Sequence, residues 1–353
     1  MMSRVIIKTS FGNVPIGDGL PVHLIAEIGL NHNGSVILAK EMIHAAAISG
    51  ATIVKFQKRF PDSLATKDFL DKPFEKAPML GSTQREVRER LELNFNEYKE
   101  LKEYAESLGL IFCATAFDVE SLDFLMRLEV PLIKVASHSV TNLELLEKIV
   151  EYDVPTICSF GGTTEEERDI AFNILKNNPL IIMHCVSAYP TPDNLAKIDT
   201  ISYYRKKYKV PIGFSSHEVG IDISFAAAVV GATIIERHFT LNRAMIGLDQ
   251  TISLQPEEFA ELSLKLKRLQ NIRGITIGIA EEEKQAKYNY HTAVCSRRKI
   301  KKGEKIRRKD LTCKQPLENP DVYFSGLELY DVVGKVALVN INEDERIKRE
   351  YVK

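Results

Sequence analysis

No apolar run in the 353-residue sequence is long enough to span a bilayer. Met1 to Pro21 also lacks the basic start and unbroken apolar core of an export signal, so a cytoplasmic location is expected. Cysteine is scarce, with 5 residues, odd in number and scattered. Cys113, Cys158 and Cys185 each sit inside an apolar run, where a buried thiol is the ordinary expectation and a reducing compartment the natural setting. An excess of one charge is missing as well: 47 basic residues face 48 acidic ones, for a net charge of -1. That balance argues against whole-chain attraction to nucleic acid and leaves open a local site for a small phosphorylated substrate. A hydrophobic fraction of 44% beside 27% charged residues is ordinary for a globular chain and supplies a large core.

Short apolar or β-branched runs alternate with amphipathic stretches from His23 to about Leu269, the pattern of repeated βα units. Eight strands are expected: His23–Gly29, Thr52–Gln57, Ile111–Thr115, Leu132–Ala136, Pro155–Ser159, Leu180–His184, Pro211–Ser215 and Thr233–His238. A helical pattern follows each, including Asn96–Leu108, Asn142–Glu151, Glu165–Lys176 and Asn194–Lys207, with Asn94, Thr141 and Thr163 or Thr164 as N-caps. Eight pairs fit a closed α/β (β/α)8 TIM barrel over residues 1–274 better than an open sheet. Arg59 to Thr83 is long for a connection within a barrel and reads either as a lid or as a tolerated insertion. Residues 275–290 read as a linker, and 291–353, with short strand-like pieces and turn signals, as a small irregular C-terminal domain. Its basic run Arg297 to Lys309 is expected to be a solvated face rather than an anion site.

In such a barrel the chemistry sits at the carboxyl ends of the strands. Those ends supply Glu27, Lys55 with Gln57, Thr115, Lys134 with Ser137, Ser159, His184, Ser215 with His217, and His238. Each alone has a plain structural reading, since a lysine snorkels and a histidine satisfies itself in a core. Together on one rim they are costly to bury without ligands or partners. Lys55 and Lys134, with hydroxyls of Thr115, Ser137 and Ser159, suit a dianion such as a phosphate-bearing substrate. His217 and His238, on adjacent final strands, suit a shared divalent metal, although ordinary structural roles stand equally open. Glu27 is a carboxylate available to assist that metal or to move protons.

These residues sit in motifs that resemble the sialic acid synthase family, which includes N-acetylneuraminate synthase and the spore-coat polysaccharide enzymes. The most specific is Ala26-Glu27-Ile28-Gly29-Leu30-Asn31-His32-Asn33-Gly34-Ser35. The likeness continues through Val54-Lys55-Phe56-Gln57, Thr115-Ala116-Phe117-Asp118, Ile133-Lys134-Val135-Ala136-Ser137, Tyr189-Pro190-Thr191-Pro192, Phe214-Ser215-Ser216-His217, Glu236-Arg237-His238-Phe239-Thr240 and Gly247-Leu248-Asp249. Ile300-Lys301-Lys302-Gly303-Glu304 resembles the family's antifreeze-like (SAF) domain. The resemblance implies phosphoenolpyruvate held by Lys55, Gln57, Thr115, Lys134, Ser137 and Ser159. It also implies manganese or magnesium on His217 and His238, supported by Glu27 and Asp249, and a domain-exchanged homodimer.

Three departures bear on the acceptor sugar. Ser139 stands where family members carry an acid, Ser187 before Ala188-Tyr189 where an asparagine is usual, and Gln315 where an arginine precedes proline. The expected reaction is condensation of phosphoenolpyruvate with an amino-sugar aldehyde, with Ser139, Ser187, Tyr189 and Gln315 facing the sugar. His138 either takes over proton transfer or is a solvent-facing loop histidine. The alternatives are a synthase for a shorter or unusual keto-sugar acid, and a non-catalytic ligand-binding homologue.

Overall fold

The computed structural model describes residues 4–353. Two compact units divide the chain, Met1–Arg273 and Gly274–Lys353. The first opens with an antiparallel hairpin, β1 (Arg4–Thr9) and β2 (Gly12–Gly17), that the sequence reading passed over. Eight parallel strands follow: β3 (His23–Gly29), β4 (Ile53–Lys58), β5 (Ile111–Ala116), β6 (Leu132–Val135), β7 (Thr156–Ser159), β8 (Leu180–Cys185), β9 (Ile212–Ser216) and β10 (Ile234–His238). They close into a barrel, β10 pairing with both β9 and β3.

The strands read as nearly unbroken apolar runs because both of their faces are covered. Outward residues such as Leu24, Val54, Phe112, Ile133 and Ile182 pack under the surrounding helices in one core. Inward residues alternate with them at period two and stack in layers. The lower layers are apolar: Ile25, Ile53, Ile111, Leu132, Ile157, Ile181 and Ile234. Two residues further along the same strands come Glu27, Lys55, Cys113, Lys134, Ser159, Met183 and Glu236, so the interior turns polar toward the carboxyl end. Val5, Ile7 and Ile16 of the hairpin join the lower layer, Ile7 and Ile16 fully buried, and close the amino-terminal mouth.

Local chemistry sets the helix ends. Asn94 and Glu97 form a reciprocal cap on Phe95–Ser107, and Thr164 and Glu167 do the same on Glu165–Leu175. Asn142, rather than Thr141, caps Leu143–Tyr152 by accepting from Leu145 N. The helix expected over Asn194–Lys207 forms only over Thr200–Tyr208, because Lys197, at φ 43°, has a left-handed backbone that no α-helix accommodates. The stretch 59–83 is structured: short helices at Pro61–Leu64 and Lys67–Leu70 precede the helix Gln84–Leu91, and Ala77, Leu80, Val87 and Leu91 pack on Leu30, with Leu248 alongside.

In the second unit, Glu281–Tyr290 is a helix, so much of the stretch read as linker has regular structure. A hairpin of β11 (Ala293–Ser296) and β12 (Leu311–Lys314) packs its apolar face with Ile300, Ile306, Val332, Ile341 and Ile347. The basic run is laced into its own surface, Arg298 reaching Asp310 at 2.8 Å and Glu304 at 2.6 Å.

Candidate active site

A cleft of about 350 Å³ opens at the carboxyl end of the barrel. It is lined from every strand, by Glu27, Lys55, Gln57, Thr115, Lys134, Ser137, Ser159, Ser187, Tyr189, Ser215, His217 and His238, with Asp249 following β10. Inward alternation brings these side chains together, since residues two apart on one strand share a face.

The floor is a buried ionic cluster. Lys55 Nζ lies 2.8 Å from Glu27 Oε2 and 3.6 Å from Glu236 Oε1, and donates to Thr115 Oγ1 at 3.1 Å. Lys134 Nζ donates to both oxygens of Glu236, at 3.1 and 3.0 Å, and Ser215 Oγ donates to Oε1 at 3.1 Å. Burial alone would raise the Glu236 carboxyl, but Lys134 and Lys55 outweigh it and hold the group at about 2. The same pairing holds the Lys55 ammonium above its ordinary value, against burial, which pulls it down. Two lysines thus meet two glutamates, and the floor carries no net formal charge. Glu236 is the residue that the sequence reading missed as a site group, although its place two before His238 on β10 puts it on the inward face.

Glycines let this floor close. Gly29, at φ 55°, sits where β3 shifts register against β4, and a Cβ there would come 3.0 Å from Glu27 Oε1. That oxygen accepts from Gln57 Nε2 at 2.7 Å. At Gly161 a Cβ would meet Ser137 Oγ at 2.7 Å, the hydroxyl that accepts from the Gly161 amide at 3.0 Å.

Above the floor the rings of His217 and His238 lie 5.4 Å apart, and the Tyr189 ring lies 3.9 Å from that of His217, tilted by 37°. His217 Nδ1 is engaged by Val186 O at 3.1 Å, which leaves Nε2 available. Burial, then His238, lowers the His217 pKa to about 3, so the imidazole is neutral and ready to ligate. His238 Nδ1 is buried without a hydrogen-bond partner, with Asp249 Oδ2 4.0 Å away. The donor set therefore fits a divalent cation. Among the described residues no group of three or more His, Cys, Asp or Glu forms a ready cage, so water or substrate oxygens must complete its coordination. Glu27 Oε2 and Ser159 Oγ are further buried atoms on the cleft without a hydrogen-bond partner, although Glu27 Oε2 is ion-paired with Lys55. Such atoms gathered on one cavity mark a place a ligand completes.

Not every expected residue belongs here. His184 points outward, its Nε2 2.7 Å from Ala196 O and its ring against Phe214 and Tyr204. Ser139 is also corrected: it is buried in the 3-10 turn Ser137–Ser139 and does not line the cleft, because that tight turn sends it away from the side of Ser137 and His138. Gln315 lies in the second unit, where its amide donates to Tyr290 O.

A closed parallel barrel with this polar mouth is the architecture of a barrel enzyme. The chain belongs to the NeuB family, whose model matches residues 42–277, and it carries a SAF domain over residues 291–350. It is 34% identical over 337 residues to N,N'-diacetyllegionaminic acid synthase of Campylobacter jejuni, covering 92% of this chain and 98% of that protein. It is 34% identical over 348 residues to N-acetylneuraminate-9-phosphate synthase of Mus musculus, covering 96% and 94%. Among solved structures, the N-acetylneuraminic acid synthetase of Leptospira borgpetersenii superposes with a TM-score of 0.69 at 33% identity, over 81% of this chain and 95% of that one.

Proposed function

We propose that the protein condenses phosphoenolpyruvate with an N-acylated amino-sugar aldehyde, forming a nonulosonic acid of the sialic acid type and releasing phosphate. The observation that carries this reading is the single cleft in which paired lysines and hydroxyls lie beneath two facing imidazoles. The names of the relatives support the product class.

In this reaction carbon 3 of phosphoenolpyruvate bonds to the aldehyde carbon, whose oxygen takes up a proton. Water adds at carbon 2, and the bond from carbon 2 to the phosphate oxygen breaks. Lys55 and Lys134, with Thr115, Ser137 and Ser159, donate to the carboxylate and phosphate oxygens, and Gln57 orients Glu27. We assign to Glu27 the uptake of the proton from water. His217 and His238 would hold manganese or magnesium, which would supply Lewis-acid polarisation of the aldehyde. Asp249 would steady His238. Ser187 and Tyr189 line the acceptor side, and the small Ser187 side chain supports an acceptor substituted differently from the family's usual one. Free thiols at all five cysteines accord with a cytoplasmic setting. The expected homodimer is open to light scattering.

The test is a phosphate-release assay with manganese, phosphoenolpyruvate and a panel of acylated amino sugars, with the product weighed by mass spectrometry. Release only when metal and a suitable aldose are both present supports the reading. Binding of phosphoenolpyruvate without turnover across the panel would instead identify a ligand-binding homologue.

A further inference from the structure

Arg237 is the charged residue of β10 that the cleft does not use. Alternation turns Glu236 and His238 inward and sends Arg237 outward, against the start of the helix Asp222–Val230, where only 1% of it is exposed. Buried ion pairs are often no more stabilising than apolar side chains of equal volume, so what this guanidinium holds in place matters more than its strength. Nη1 lies 2.9 Å from Glu218 Oε1 and donates to Gly220 O at 2.5 Å and to Ser224 Oγ at 3.2 Å. Nη2 donates to Glu218 O at 2.7 Å.

Glu218 follows His217 directly, and Arg237 directly precedes His238, so each partner is one peptide bond from an imidazole. The β9–β10 ladder ends at the pair Ser216 and Arg237, and the chain from His217 to Gly220 lies beyond it. The Arg237 fork catches that chain by two of its carbonyls, those of Glu218 and Gly220. Glu218 Oε1 also accepts from Ser224 N at 2.9 Å and Ser224 Oγ at 2.7 Å, which caps the helix where Ile221 has no side-chain acceptor to offer. Glu218 Oε2 accepts from Ser216 Oγ, which accepts in turn from Glu218 N at 3.3 Å. Ser216, Glu218 and Ser224 are all buried. The loop that carries His217 is thereby tied to the outer side of the strand that carries His238. On the cleft side the two imidazoles make no hydrogen bond to each other: His217 Nδ1 meets Val186 O, and His238 Nδ1 has no partner.

We propose that the buried Glu218–Arg237 pair is the positioning element of the divalent-cation site, fixing the separation of His217 and His238 from behind the barrel wall and with it the affinity for metal. The inference rests on the reading of those imidazoles as metal ligands. Donor atoms must be held within about 0.5 Å of a productive geometry, and a loop beyond the end of a ladder holds its side chains only as well as its remaining ties allow. A lysine at 237 would keep the charge yet lack the planar fork that reaches the Glu218 carboxylate with one nitrogen and the Glu218 carbonyl with the other.

The experiment titrates manganese into chelator-stripped protein by calorimetry, without substrates, for wild type, Arg237→Met, Arg237→Lys, Glu218→Gln and Ile7→Ala, each checked for folding by far-UV circular dichroism. Arg237→Met removes a positive charge from behind a cation site, so charge alone would tighten binding, whereas lost positioning should weaken it by about tenfold or more, the scale of outer-shell losses at metal sites. Arg237→Lys, with its charge kept, should weaken it by about tenfold. Glu218→Gln keeps the oxygen that meets Arg237 and Ser224 and should stay close to wild type. Ile7→Ala, which loosens the opposite mouth of the barrel, should leave the Kd unchanged. Tighter binding by Arg237→Met, or an unchanged Kd in Arg237→Lys, overturns the inference. So does a loss in Ile7→Ala as large as that in Arg237→Lys, because affinity would then only follow overall stability. If Arg237→Met does not fold, Arg237→Lys against Ile7→Ala decides. Absence of manganese uptake by wild type would sink the reading of the imidazoles as ligands, and this inference with it, whereas uptake by wild type with no change in the Arg237 variants sinks the inference alone.

Discussion

The charge balance of the cleft floor makes a prediction in which two neighbouring substitutions act in opposite directions. Lys134→Met leaves Glu236 buried with Lys55 at 3.6 Å as its remaining cation, and the floor becomes net negative. Breaking a buried pair from one side typically costs about 3–5 kcal/mol, and Lys55 should keep the loss near the lower figure. Glu236→Gln leaves Lys134 without its carboxylate and the floor net positive, with a stability loss of about 2–3 kcal/mol from the lost charge-assisted bonds. One unit charge at about 5 Å in a medium of effective dielectric about 20 is worth about 3 kcal/mol, about a hundredfold in Kd for an anion. Lys134→Met should therefore weaken phosphoenolpyruvate binding by about 100-fold and abolish phosphate release. Glu236→Gln should bind it more tightly, by up to about tenfold after loss of the orienting bonds is allowed for. Unfolding would be followed in urea by far-UV circular dichroism, since the chain has no tryptophan, and binding by calorimetry. If both substitutions weaken binding by the same factor, charge balance is not what governs the floor and the reasoning fails.

Four further outcomes follow from particular residues. Gly29→Ala forces a side chain onto a backbone at φ 55° and against Glu27, so it should cost about 1–2 kcal/mol and lower turnover, read by urea unfolding and phosphate release. His32 is buried, and burial, then Arg59, brings its pKa to about 4 from 6.5. The unfolded chain therefore binds the extra proton first as pH falls through 6.5, and native stability should drop by about 2 kcal/mol between pH 7 and 5 from this group alone. His32→Asn, whose amide oxygen can accept from Gly34 N as Nδ1 now does, should flatten that slope; an unchanged slope assigns it elsewhere. Ile7→Ala opens a cavity beneath the barrel and should cost about 2–5 kcal/mol in urea, whereas a loss well under 1 kcal/mol would show that the hairpin does not seal the core. His217→Ala and His238→Ala should each weaken manganese binding by at least about 100-fold in calorimetry, and an unaltered Kd would remove that imidazole from the metal site.

The sequence by itself determined the barrel and most of its mouth. Strands buried on both faces must be apolar along their length, so the polar residues ending those runs stood out, and Lys55, Thr115, Lys134, Ser159, His217 and His238 do line one cleft. It also carried signals that end-of-strand reading passed over. The alternation of Val5 and Ile7 marks a strand, and Ile234, Glu236 and His238 share an inward face. Only the tertiary structure decided the direction of side chains beyond the strands, because turns have no fixed period: it turned Ser139 away and Arg59 in. It alone decided the charge accounting too. Which lysine meets which glutamate is set by strand tilt and register around a closed sheet, so Lys134 finds Glu236, 102 residues away, while Lys58 and Arg59 share the carboxylate of Glu92.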